Sequence, residues 1–575
     1  MVLSIVLWTA CGQVYRPVVI PCSVGGVPGC PPSTPPIPAN FHAVFGISAN
    51  VANYPGGAMQ IDVAGDSIIA ETPTSDISAP NLGDNPTHAA IFPNNSRVFV
   101  ASAGSALPGG GVDVISSFTP AFQIPVLGAV NTISLPTGSQ PVFVNTSQNN
   151  VVYVANFGAN SVSAINTSLN VVSNTVPVGT NPVALAETPN GLKLYVANQG
   201  DNSVSSLNTA DLSSNGVTGF SGQTPVWVVA RGDSQKVYVL TQGDGQLVTI
   251  DTAADTVTSS LPVGSGANFI LYDSHLNRLY VTNPSTNAVY VFSDSGGASD
   301  TPTLLTQLAI PGLSAITTPM CGTCSAPVPV SVTALPDGSR FYVASYQVAT
   351  SCPDAIVGSS SKCVIPSLAV FDANSLTLKT ALTLLTYPAF AADLTTNQYQ
   401  YAVSPVTSCA PAALYGPTTT RFRVFTTAAA DSSRVYVSMC DAGAIAVVNT
   451  TNSNTNNSGG GTPADTVITD LPAPYGVCTQ PSCSSTASIT AFSITSNLVT
   501  FQAANTFAPG QSVSISGLTT GTYLNGLTLT VIATGLSGAQ FECYFTYADV
   551  SPTTDSGTAL LQAPSQKPVF LLTGQ

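Results

Sequence analysis

The chain has 575 residues, of which 7% are Asp, Glu, Lys or Arg and 44% are apolar, and its formal net charge is −14. Thirteen thinly spread basic residues give no cationic surface for phosphate backbones or anionic lipids, which excludes nucleic acid and leaves membrane contact to a lipid anchor alone. No uninterrupted run of about 18 apolar residues is present to cross a bilayer as a helix, while 47 Gly and 44 Pro suit short strands joined by tight turns.

Residues 1–16 open with MVLSIVLWTACG, an apolar stretch ending in small residues and then Cys11. It resembles a bacterial lipoprotein signal, with Trp8 where Leu is usual and no basic segment ahead of it. The resemblance implies that Cys11 is acylated and becomes the mature N-terminus; an export fragment with an ordinary cysteine is the other reading. Residues 17–40 are rich in Pro and Gly and lack an apolar period, so they read as an extended tether. Twelve cysteines behind an export-like start favour disulfides over metal or redox chemistry.

Between residues 41 and 483 the sequence repeats itself. VVYVAN, KLYVAN, KVYVLT and RLYVTN carry Tyr153, Tyr195, Tyr238 and Tyr280 at intervals of 42, 43 and 42 residues. RVFVAS at Arg97, RFYVAS at Arg340 and RVYVSM at Arg434 are more divergent copies. An apolar segment, often led by Pro, and a turn precede each copy, and a second alternating run such as SVSSLN or AVYVFS follows. A further β-rich stretch completes the unit. Four short strands of period-2 patterning, recurring about every 40 residues, are what a propeller blade requires. One such sheet cannot bury both faces alone, whereas radial packing covers each blade with its neighbours. A seven-bladed β-propeller is expected. The alternative is eight blades, with residues 41–75 supplying the second half of a repeat; Pro388 opens a further partial copy.

KLYVAN, RLYVTN and VPVG-x-x-P resemble the YVTN-family β-propeller repeat of bacterial and archaeal surface-layer-type and exported proteins, related in fold to lactonase-type propellers. The resemblance spans roughly residues 86–476. It implies an extracytoplasmic propeller and prescribes no chemistry. After Cys483 the Tyr-Val signature stops, and residues 484–575 alternate in a way expected of a small immunoglobulin-like β-sandwich.

Arg231-Gly232-Asp233 is an adhesion signal only when exposed. Laid on the repeat it falls in the turn ahead of the Tyr-Val strand, where PNGLK, SHLNR and PDGSR stand in other copies. Six basic residues, Arg97, Lys193, Lys236, Arg278, Arg340 and Arg434, share one repeat position, which predicts a structural role: a stem over an inter-blade groove. His42, His88 and His275 fall in different repeats without metal-ligand spacing, and neither a GxSxG elbow nor a phosphate-binding loop is present. No catalytic, cofactor or metal residue is therefore assigned. Ser293 to Asp300, SDSGGASD, offers two carboxylates to calcium but no glutamate, and is read as a solvated turn.

The insertions that stretch the repeat fall in loops on one propeller face and carry Cys321, Cys324, Cys352, Cys363, Cys409 and Cys440. Cys352 with Cys363 and Cys409 with Cys440 are candidate pairs, as are Cys22 with Cys30 and Cys478 with Cys483 on the flanks. The CGTC of Cys321 and Cys324 is also a redox or metal half-site in form, but a second CxxC is absent, and Cys543 stands alone.

These readings point to a binding or structural scaffold exported to the cell surface or periplasm as an outer-membrane lipoprotein. Its loop face takes a protein or a glycan, or assembles with copies of itself. A lactonase-like or other hydrolase working in the propeller channel is the alternative. The channel lining discriminates: clustered His, Asp, Glu and Arg would favour catalysis, and small polar or apolar residues binding.

Overall fold

A computed structural model describes residues 43–574, apart from 50–55, 64–65, 74–85, 93–96, 104–110, 117–130, 148, 313–323, 350–362, 385–403, 406–408, 410–422, 452–462, 473–485, 534 and 563–566. Cys11, Cys22, Cys30, His42, Cys321, Cys352, Cys478, Cys483 and the partial repeat at Pro388 fall outside the described residues. Within them the chain forms antiparallel strands and one short 3-10 turn.

Among the described residues, seven four-stranded sheets and one five-stranded sheet are arranged as propeller blades, which corresponds to the alternative of eight rather than to seven. Blades 2 to 8 take their strands in chain order from residues 86–134, 141–177, 182–216, 225–262, 269–309, 328–383 and 424–471. The seventh also holds the two-residue strand Ser404–Pro405. Blade 1 joins the two ends of the described chain. Ala43–Ala49, Gly57–Asp62 and Ser67–Pro73 are its outer three strands, and Lys567–Thr573 is its innermost. The closing register runs Val44↔Thr573 to Ala49↔Lys567. Neighbouring innermost strands touch in one unbroken cycle, which Lys567–Thr573 completes between blades 8 and 2.

Local sequence explains the blade. Several innermost strands start at a proline, Pro86, Pro141, Pro182 and Pro225, followed at once by a bulge. Proline lacks the N–H a central strand needs and fits a free sheet edge, which here faces the axis. The second strands, carrying Tyr-Val, are buried on both faces because a blade packs on each side. Between the third and fourth strands a further bulge recurs in six blades, for example at Ala164/Ile165 and Thr249/Ile250, and adds twist to the outer edge. Left-handed turn residues follow the same repeat, with Asn160, Asn202 and Asn287 closing equivalent hairpins at φ of 52°, 58° and 52°.

The stretch expected to be a two-sheet sandwich is instead a single six-stranded sheet. Its spatial order is Thr528–Thr530, Ser512–Ser516, Val550–Gln562, Thr486–Thr495, Leu498–Ala503 and Gln540–Tyr544. The 13-residue strand Val550–Gln562 pairs on both sides and so welds the two would-be layers together. A bridge between Val531 and Cys543, with Ile532 N–H donating to Glu542 O at 3.0 Å, brings the two edges together as a small barrel. Phe501, Phe541, Val513 and Ile515 fill it. The barrel is also not terminal: the chain leaves it to form Lys567–Thr573, so it is inserted between blade 8 and the closing strand. Gly510 (φ +82°) sits where the barrel meets the propeller; a Cβ there would lie 2.9 Å from Ile68 and 3.1 Å from Pro472.

Candidate functional site

The side chains around the axis come from one register position. Opposite the fifth residue of each second strand stand His88, Phe143, Ala184, Trp227, Phe269, Ser331, Phe425 and Phe570. All eight are buried. Six are aromatic and form a closed circuit. Centroid separations run His88–Phe143 3.7 Å, Phe143–Trp227 5.7 Å, Trp227–Phe269 4.8 Å, Phe269–Phe425 5.8 Å, Phe425–Phe570 4.4 Å and Phe570–His88 4.4 Å. Blades 4 and 7 contribute only Ala184 and Ser331, whose small size lets the flanking rings meet across them. Ser331 Oγ accepts the Thr426 N–H at 3.0 Å, and His88 Nδ1 accepts the Val144 N–H at 3.4 Å. Tilted and edge-on aromatic pairs each add about 0.5–1.5 kcal/mol beyond their buried area. The belt therefore both knits the innermost strands together and fills the axis at this level with apolar matter.

Charged groups gather instead between blades. Lys193 Nζ reaches across to blade 5, donating to Asp255 Oδ2 at 2.7 Å and to Thr252 O at 2.6 Å, while the Tyr195 hydroxyl donates to Asp255 Oδ1 at 2.6 Å. Lys236 Nζ meets both Asp294 oxygens at 2.8 and 2.9 Å, and the Tyr238 hydroxyl donates to the same carboxylate. Arg340 and Tyr342 meet Asp465 at 3.4 and 2.7 Å. Arg434 Nε donates to Asp66 at 2.9 Å across the blade 8 to blade 1 junction, with the Tyr436 hydroxyl 3.5 Å from that carboxylate. Arg97 finds Asn170 Oδ1 at 3.1 Å, and Arg278 donates to the Ala373 carbonyl in place of a carboxylate, because Leu376 takes the turn position used by an acid elsewhere. These clasps use the six basic residues that share one repeat position. Burial first, then the hydrogen-bonded carboxylate, pushes the Tyr195 and Tyr238 phenols far above their usual range. Tyr153, which burial and Glu187 push up to about 12, has no such carboxylate partner among the described residues.

The acceptors Asp66, Asp255 and Asp465 are the residues that sequence reasoning missed. Each directly precedes the fourth strand of its blade in a left-handed conformation, at φ of 46°, 52° and 58°. The shared text of GDS, ADT and ADT before those strands is the signal that could have found them.

The clasps also settle two motifs. Arg231 of the Arg-Gly-Asp sequence is a buried side chain, 4% exposed, bonded to Asp233 at 2.6 and 2.8 Å, Gly296 O at 2.7 Å and Asp294 at 3.2 Å. It is not presented to a receptor. Asp294, half of the weighed calcium loop, is buried and taken up by Arg231, Lys236 and Tyr238 in a structural ion cluster, whereas Asp300 is exposed and its carboxylate accepts the Gly297 N–H at 2.7 Å in a turn of the kind expected. A cleft of about 360 Å³ opens beside this region, lined by Lys193, Asp233, Gln235 and Asp251 among others. His275 lies in a surface turn of blade 6, remote in register from His88 on the axis.

On the opposite edge of the blades, Cys409 and Cys440 form a disulfide with Cα atoms 5.9 Å apart, one of the neighbouring pairs named from the sequence. Cys440 follows the second strand of blade 8, and Cys409 lies in the connection leading into that blade. Cys324, just ahead of blade 7, is disulfide-bonded as well, and Cys543 is a buried free thiol in the barrel.

No family profile and no curated protein matches the sequence. Solved structures resemble it in fold. A putative 6-phosphogluconolactonase from Bacteroides fragilis is 14% identical, with 61% of this chain and 97% of that one covered at a TM-score of 0.41. The Cps50 (Swd1) β-propeller domain of Myceliophteria thermophila is 9% identical over 64% and 98% of the two chains, at 0.41. Dihydro-heme d1 dehydrogenase NirN is 11% identical over 74% of each chain, at 0.44.

Proposed function

We propose that this propeller is an exported, lipid-anchored scaffold of the YVTN type, which presents its disulfide-bearing loop face to a protein or glycan outside the cytoplasm or to further copies of itself. The observation that carries this reading is the aromatic belt. A hydrolase that uses a propeller channel needs several polar, titratable groups converging on the axis, whereas the register position that faces it holds Phe143, Trp227, Phe269, Phe425 and Phe570, with His88 the one titratable side chain among the eight and stacked between Phe143 and Phe570. Acids and bases are committed to clasps between blades, where they hold the wheel rigid. A rigid wheel with a filled axis leaves recognition to its loops, and disulfides there reduce the ordering cost of binding.

Anchoring and display are tested together by fractionating cells that express the wild type or Cys11→Ala. The wild type is expected in the membrane fraction, cut by protease added to intact cells, and the variant in the soluble fraction. A wild type recovered soluble, without lipid on Cys11 by intact mass, would remove the anchored reading.

A further inference from the structure

We infer that the inserted barrel carries its own binding platform for a neutral carbohydrate chain, built from Tyr523, Phe545 and Tyr547. Tyr523 and Tyr547 stack with centroids 4.0 Å apart and planes 7° from parallel. Phe545 lies 5.8 Å from Tyr547 at 17° and 6.3 Å from Tyr523 at 13°, so the three rings share one orientation. Tyr547 is nevertheless 42% exposed.

The platform is held from both sides. Phe545 N–H donates to Asn497 O at 2.9 Å and Tyr547 N–H to Asn497 Oδ1 at 3.2 Å, which fixes the loop before Val550–Gln562. The turn Thr522–Leu524, which carries Tyr523, hangs on the Asp555 carboxylate. That group accepts Thr519 N–H at 2.8 Å, Thr519 Oγ1 at 2.7 Å, Thr520 N–H at 2.9 Å and Gly521 N–H at 2.7 Å. Aromatic rings fixed in one orientation and left in water are paid for only if something covers them, and their rigidity lowers the entropy lost when it does.

The chemistry around the rings selects the occupant. Residues 486–562 contain no Lys or Arg, so an anionic ligand or a phosphate backbone meets no counter-charge. Thr522, Thr546 and Asp549, which adjoin the three rings in sequence, are exposed and offer hydroxyls and a carboxylate, which suit a neutral polyol. Large apolar side chains exposed on the barrel are confined to Tyr547 and Leu560 among the described residues, far less than a protein interface of standard size requires. One exposed ring matches the C–H face of one sugar. This site is independent of the propeller loop face.

The test is calorimetric titration of the full-length chain with neutral hexasaccharides of β-linked glucose, α-linked glucose and N-acetylglucosamine, and with a single-stranded dT oligonucleotide. At least one sugar is expected to bind and dT is not. Tyr547→Ala should weaken that sugar about tenfold or more while Tyr547→Phe retains it, with both variants still unfolding cooperatively. In the wild type, saturation of aromatic protons should transfer to the sugar C–H protons. The proposal is overturned if no sugar binds at millimolar concentration, if dT binds instead, if Tyr547→Ala leaves sugar affinity unchanged, or if no transfer from aromatic protons is seen.

Discussion

Asp294 receives Lys236, Arg231 and the Tyr238 hydroxyl, and its side chain and that of Lys236 are 1% and 0% exposed. Removing the carboxylate strands the buried Lys236 ammonium, while Arg231 keeps Asp233, so Asp294→Ala should cost about 3–5 kcal/mol in chemical denaturation, whereas Tyr238→Phe, which loses one hydrogen bond to a charged group, should cost about 1.5–3 kcal/mol. Asp470, in the outer strand of blade 8, is the opposite case: buried, with neither oxygen hydrogen-bonded among the described residues, its carboxyl is pushed by burial up to about 8. The folded state holds this proton more tightly than the unfolded chain. Its stability contribution is therefore complete below about pH 4 and is lost as pH rises toward 8. Asp470→Asn should raise the melting temperature at pH 8 and leave it little changed at pH 4; an equal shift at both would show that titration is not involved. At this scale the sequence was half legible. The basic member of each clasp recurs at a fixed position, but the turn residue facing it alternates between Asp, Asn170 and Leu376, so no constant letter marks its acceptor.

Strands were read well wherever period and punctuation coincided, as in the Tyr-Val hairpins of residues 141–309. The closing strand was read into the wrong unit. PVFLLT at Pro568 matches PVFVNT at Pro141, the innermost strand of blade 3, in four of six letters, yet it lacks a following Tyr-Val hairpin because its partner, Ala43–Ala49, lies at the other end of the sequence. Repeat spacing is a local signal and cannot report a pairing of that range. The strand's burial, with Val569 and Leu571 each 1% exposed, makes it structurally essential. A chain ended after Gln562 should lose the innermost sheet partner of blade 1, broaden its unfolding transition, and become cleavable by trypsin at Arg434, whose partner Asp66 belongs to that blade. Intact protection of that site in the truncated chain would argue against the closure role. The barrel was misread as a sandwich for a related reason: alternation specifies strands, but whether one long strand joins two layers depends on its pairing on both sides.

For the whole wheel, fold class was legible because every repeat states it again, while blade number was not, since blade 1 is divided between chain ends and blade 2 has only a divergent copy. Long loops enter at blades 7 and 8, where Cys409–Cys440 closes a span of 31 residues. On the chain-entropy account such a crosslink contributes about 3–4 kcal/mol, so Cys409→Ser should lower the denaturation midpoint of the non-reduced protein by that equivalent, and reduction, which also opens the Cys324 disulfide, should lower the wild-type midpoint at least as far. The pairing of Val44 with Thr573, across nearly the whole sequence, has a kinetic consequence. Contacts so distant along the chain form slowly, and the wheel must wait as an unsealed arc whose terminal edge offers unpaired backbone groups. Two arcs meeting in that interval can each accept the other's last strand, which would produce interlocked dimers during rapid refolding at high concentration and monomers when dilution gives each molecule time to find its own end.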